Sequence, residues 1–313
     1  MPRDPRKEAS DRLDGRYEVR VLEPSPPAVD EEPWFADDPT DRGEVPAGRT
    51  LVSPVTTGDT LWQDLAAADP ELAGWCAERW LGAYRPLDPV PPTLGVTRDA
   101  LHRVAERVIS PARARANGKI GLRWTLGGFG TPFFGADAQI RVNGAHLVID
   151  AGGQERRHAI ETISGSAAAI GFDLRGTAEE RLDAPLEIDA LASRFIGDWF
   201  GFVTSVLEQL RAEAPEEWEA SRVQLWPEHF DVAVELGNEQ AETRAAVGGS
   251  PCDAAHAEPY LYVAPWTARP EGELWQARGF SGAEMGYSNL LAAADQRGAA
   301  LEFFRARLAA LNG

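Results

Sequence analysis

The chain has 313 residues, with 31 Lys and Arg against 49 Asp and Glu and a formal net charge of −18. Binding to nucleic acid or to an anionic membrane needs cations that displace or attract phosphate, so this balance argues against both partners. Hydrophobic residues make up 43 %, enough for a real core, and no apolar run approaches the roughly 20 residues that a bilayer demands.

Two cysteines, Cys76 and Cys252, can close at most one bridge, and the first residues hold no apolar stretch of the secretory kind. Reduced thiols and a cytoplasmic protein are expected. Residues 1–50 are dense in Pro and acid, with Pro24, Pro26 and Pro27 before the run Asp30, Glu31, Glu32. They read as an extended arm around a single body formed by residues 51–313.

Helical signals begin near Asp59, and Asp69 before Pro70 is a good N-cap. After a Pro-rich connector at 85–92, Thr97 is expected to cap a helix with Leu101, Val104 and Val108 on one face, and Pro111 to end it. A strand is expected over 119–125. Strands at 138–142 and 146–150 flank Asn143 and Gly144, a two-residue hairpin signal, and 157–162 adds another. Asp189 caps the most regular helix, where Phe195, Trp199, Phe202, Val206 and Leu210 recur at helical spacing. Strands are expected over 223–235, 259–265 and 273–277, and a last helix carries Leu301, Phe304 and Leu308. Strands that cluster instead of alternating with helices predict an α+β fold, with packed helices on antiparallel sheet. The order suggests two helix-plus-strands halves, near 97–162 and 189–278.

Chemistry concentrates at residues 225–231, which place Trp226, Glu228, His229 and Asp231 together, with His256 not far beyond; the whole chain has only five histidines. If 229–231 were a strand, His229 and Asp231 would share a face. Three readings follow. His229, Asp231 and His256, completed by Asp253 or Glu258, form a site for a divalent metal. Alternatively, Glu228, His229, Asp231 and His256 supply a carboxylate-oriented general base. In the third, Trp226 and Phe230 are core and His229 is merely hydrogen-bonded. Cys252 near His256 resembles a thiol–imidazole pair, and Gly248 to Pro251 before it read as a loop that would expose it, but the sequence shows nothing that would lower the thiol pKa.

Residues 127–135 hold four Gly and three Phe but lack the helix start and the Lys of a phosphate-binding loop. Phe129 and Phe133 there belong either to a tight turn that buries them or to a flap over an apolar pocket. From Arg103 to Arg123 six cations face a single acid, Glu106. They are expected to dock the acidic arm or to hold a small anion, with Lys119 and Arg123 gripping it from one strand face.

Residues 225–231, 249–253, His256 and 259–266 together resemble segments of a bacterial protein family that has no assigned activity. The similarity extends back through 127–135, and it implies neither reaction nor cofactor. The expected function is binding of a small, anionic or aromatic molecule in a pocket lined by aromatics, Lys119, Arg123 and the histidines. A metal-dependent enzyme and a non-catalytic interaction protein are the alternatives.

Overall fold

The computed structural model describes residues 86–125, 127–132, 139–151, 154–172, 174, 181–267 and 270–313. The N-terminal arm, the helices read near Asp59 and Asp69, Cys76 and Phe133 lie outside the described residues. No helix among them is long and apolar enough to cross a membrane.

The first helix, α1 (Leu94–Val104), passes through a π-helical turn at Ala105–Ile109 into α2 (Ser110–Asn117). It therefore starts earlier than expected and does not end at Pro111. That proline sits at the first turn of α2, just after the widened turn, where a missing N–H and a ring are tolerated. Thr97, expected as a cap, is inside the helix, and its hydroxyl accepts from the backbone N–H of Asp189 at 3.0 Å.

A five-stranded antiparallel meander follows: β1 (Arg123–Thr125), β2 (Gly128–Gly130), β3 (Gln139–Asn143), β4 (His146–Ala151) and β5 (Gln154–Ala159). Gly144 takes φ +60° in the turn after Asn143, as the hairpin signal requires. Short α3 (Ile163–Ala169) leads on to α4 (Ala190–Glu213), whose cap Asp189 accepts from the N–H groups of Leu191 and Ala192. The second meander has the same form: β6 (Gln224–Trp226), β7 (Asp231–Leu236), β8 (Ala245–Ser250), β9 (Tyr260–Pro265) and β10 (Ala283–Gly286). Short α5 (Tyr287–Ala292) and then α6 (Gln296–Asn312) close the chain.

Leu122 and Leu225 exchange both backbone hydrogen bonds, at 2.7 and 2.8 Å, and so join the sheets at their first strands. Helix α4 lies across this seam and packs on both sheets. Its stripe is core: Trp199 is 1 % exposed, Phe202 and Val206 0 %. One apolar cluster spans both sheets and the helical layer. The fold is α+β, and each sheet is preceded by a helix.

Three local expectations change. Residues 223–235 form two strands, because Phe230 adopts φ +56° and its N–H closes a turn onto the Trp226 carbonyl at 2.7 Å. Gly248 and Gly249 belong to central strand β8, not to a loop. A Cβ on Gly248 would come within 2.6 Å of the Tyr262 hydroxyl and the Val232 carbonyl, so only glycine fits there. Finally, 273–277 is not a strand; β10 takes the sheet edge instead.

Candidate functional site

Side chains alternate along β9, so Leu261 and Val263 enter the core while Tyr260 and Tyr262 face away from α4. The register sets Tyr262 opposite Gly248 and Glu284, and Tyr260 opposite Ser250 and Gly286. Asp231 opens β7 on this same outward face.

Two polar groups form there. In the first, the Asp253 carboxylate accepts from the backbone N–H of Ala255 at 2.7 Å and of His256 at 2.8 Å, and from the Tyr260 hydroxyl at 2.6 Å. The His256 ring stacks on Tyr260, with centroids 4.0 Å apart. Its Nδ1 lies 3.0 Å from Asp253 and its Nε2 3.1 Å from Glu284, so both ring nitrogens face carboxylate oxygens. Glu284 also accepts from the Arg278 backbone N–H at 3.0 Å. Burial works to raise the Asp253 pKa, but the hydrogen bonds from Tyr260, His256 and the backbone hold it below the ordinary carboxylate range. Burial and the Asp253 bond push Tyr260 up.

In the second group, the Tyr262 hydroxyl donates a short hydrogen bond to Asp231, whose other oxygen, Oδ1, is buried without a partner among the described residues. Burial raises the Asp231 pKa, against the Tyr262 bond and the nearby His229 and Arg98 charges, which favour the carboxylate. The Phe280 ring stands edge-on to Tyr262 at 6.4 Å, and ring centroids of Tyr260 and Tyr262 are 6.1 Å apart. The two groups are thus neighbours on one face.

An open cleft of about 560 Å³ lies beside the first group. His256, Tyr260 and Glu284 line it, with Glu258, Arg278 and Arg307. A second cavity of about 460 Å³ lies between the Pro-rich segment at 86–92 and α4, against Phe195 and Trp199. Tyr287 lines both, and its hydroxyl donates to the Asp88 carbonyl at 2.6 Å.

The expected set is only partly assembled. His256 lines the cleft, and Asp231 shares its sheet face without lining it. Glu228 and His229 are exposed in the turn between β6 and β7, so the strand geometry that would have paired His229 with Asp231 does not exist. Among the described residues no group of three or more His, Cys, Asp or Glu side chains is arranged to hold a metal ion, and His229, Asp231 and His256 do not form one. Trp226 is half-buried on β6 and does not line the cleft. Phe129 is no flap: it is 0 % exposed and meets Phe200 and Phe230 edge to face at 6.1 and 5.1 Å.

Lys119 and Arg123 do not share a strand. Lys119 is exposed in the loop before β1, while Arg123 is 7 % exposed and donates to the Trp124 carbonyl at 2.9 Å. The rest of the basic island is equally dispersed, with Arg113 buried against the Gly121 carbonyl and Arg115 over the Phe172 ring at 3.9 Å. Cys252 is 3 % exposed, and burial pushes its thiol up to about 11, the reverse of a nucleophile.

Sequence reasoning missed Tyr260, Tyr262 and Glu284. The tyrosine spacing carried a usable signal, since residues two apart on a strand share a face. Glu284 carried none while β10 was unrecognised. His102 was also missed: its ring stacks on Phe230 at 5.3 Å and its Nε2 donates to the Pro227 carbonyl at 2.8 Å, which pins the β6–β7 turn to α1. No family model, curated protein or solved structure matches the chain.

Proposed function

We propose that the protein binds a small molecule in the cleft beside β9 and β10, with His256, Tyr260 and Glu284 as its polar wall. The observation that carries this is the imidazole fixed between Asp253 and Glu284 on the wall of a cleft of about 560 Å³. Ligand sites typically measure roughly 300–1,000 Å³ and use a few oriented polar groups. Both ring nitrogens are already engaged, so the arrangement orients a surface for binding and offers no free base within it. The acidic surface supports a small ligand over a polyanion.

A thermal-shift screen of small metabolites against the full chain tests this. Molecules that raise the melting temperature of the wild type are expected to lose most of that shift in Glu284→Gln, since a ligand stabilises only the form it binds. If no molecule gives a Glu284-dependent shift, the reading fails.

A further inference from the structure

Arg305 and Arg307 lie two apart on α6 in opposite surroundings. Arg305 makes a fork to Glu213 at 2.6 and 3.0 Å, and this hydrogen-bonded pair holds its guanidinium above the usual range. Arg307 has no such partner among the described residues. Its guanidinium lies over the Phe303 ring, 4.1 Å from the centroid, and one N–H donates to the Phe303 carbonyl at 3.1 Å. Its Nε is buried and has no hydrogen-bond partner among the described residues. Burial moves its pKa downward. A half-buried cation with unmade hydrogen bonds is costly to hold unless something completes it.

Arg307 is also a wall of the cleft that contains His256 and Glu284. We infer that the ligand of this cleft carries an anionic group, a carboxylate or phosphate, whose oxygens bind the Arg307 guanidinium. This rests on the cleft being the binding site. Planar guanidinium pairs with such oxygens through charge-assisted hydrogen bonds, the strongest kind the side chain can form. Glu258, Glu273 and Glu284 line the same cleft, so the anion is selected by direct contact with Arg307 and not by the general field. The chain's net charge of −18 sharpens the point, because anions are drawn in by no long-range attraction.

The test is titration of the full chain with inorganic phosphate and with acetate at constant ionic strength, followed by calorimetry and melting temperature. The wild type is expected to respond saturably to at least one of them. Arg307→Gln should weaken that response by about tenfold or more, and Arg307→Lys, which keeps a cation and an apolar stem, should fall between. Arg305→Gln, which removes a guanidinium of the same helix that pairs with Glu213 and does not line the cleft, should leave it nearly unchanged. No saturable response in the wild type, or an equal one in Arg307→Gln, overturns the inference. Glu284-dependent binding of a neutral molecule that phosphate and acetate do not displace would overturn it while sparing the binding site itself. Absence of any Glu284-dependent ligand would remove both.

Discussion

The sheet β1–β5 and the sheet β6–β10 are both antiparallel meanders preceded by a helix, yet their outward faces use charge differently, with Arg141 and Arg157 beside Asp150 and Glu155 on the first. On the first, Arg123, Arg141 and Arg157 stand along one row that runs through Gly130 and Val148. On the second, Asp231 and Glu235 of β7 and Glu284 of β10 occupy the corresponding side. The charges of the first sheet are balanced at its edge, where Glu155 accepts from Arg141 at 2.9 Å and from Arg157 at 2.7 Å. Strand β5 is exposed throughout, and its charged side chains keep an open edge from pairing with another chain. On the second sheet the acids are sheltered and answered by tyrosines and a histidine. The same scaffold therefore uses exposed charge to guard an edge and enclosed charge to build a polar surface beside a cleft.

The largest expected effect concerns what the two sheets share. If α4 ties them into one cooperative unit, Trp199→Ala should cost roughly 3–5 kcal/mol through the cavity it leaves. Urea unfolding followed by fluorescence and by circular dichroism should still show one transition. Two separated transitions would break the comparison into independent halves, and a loss under about 1 kcal/mol would mean that the stripe contributes little.

A smaller effect should separate the enclosed acid from the exposed ones. The pKa of Asp231 is raised on folding, so its contribution favours the folded state at low pH and is lost as pH rises through the folded value. Asp231→Asn should thus be at least as stable as the wild type near neutral pH, by on the order of 1 kcal/mol, and the gain should vanish toward the ordinary carboxylate pKa. Melting temperatures across this range decide it. A variant that is less stable at every pH would show that the Tyr262 bond outweighs burial.

What the sequence revealed follows from how local each signal is. The hairpin at Asn143 and Gly144 and the helix capped by Asp189 are written in neighbouring residues, and both formed as expected. The Gly248 and Gly249 strand was misread because its glycines answer to Tyr262 and Val203, partners remote in the chain. The site was half legible for the same reason. His256 stood out as a scarce imidazole and Asp253 lay three residues away, but Glu284 reaches it only through the pairing of β9 with β10. His229 was misleading because a left-handed residue at Phe230 ended the strand that would have aimed it.

The smallest effect belongs to the first sheet's edge. Glu155 is held below the ordinary carboxylate range, first by its hydrogen bond to Arg157 and against a slight cost of burial, with Arg141 adding to the pull. A depressed pKa gives stability that is present above the unfolded value and lost as pH falls through the folded one, the opposite sign to Asp231. Its magnitude is limited by solvent, since the Arg157 and Glu155 side chains are 56 % and 37 % exposed. Screened pairs of this kind contribute between nothing and about 1 kcal/mol, so Glu155→Gln should cost less than that at low ionic strength. In about 1 M salt, where the Debye length falls to roughly 3 Å, the cost should nearly vanish. The Asp231→Asn difference should persist in the same salt, because it arises from burial and not from exposed Coulomb attraction. Should the Glu155 effect prove as salt-resistant as that of Asp231, the edge charges would be part of an enclosed network, and the distinction between the two faces would be lost.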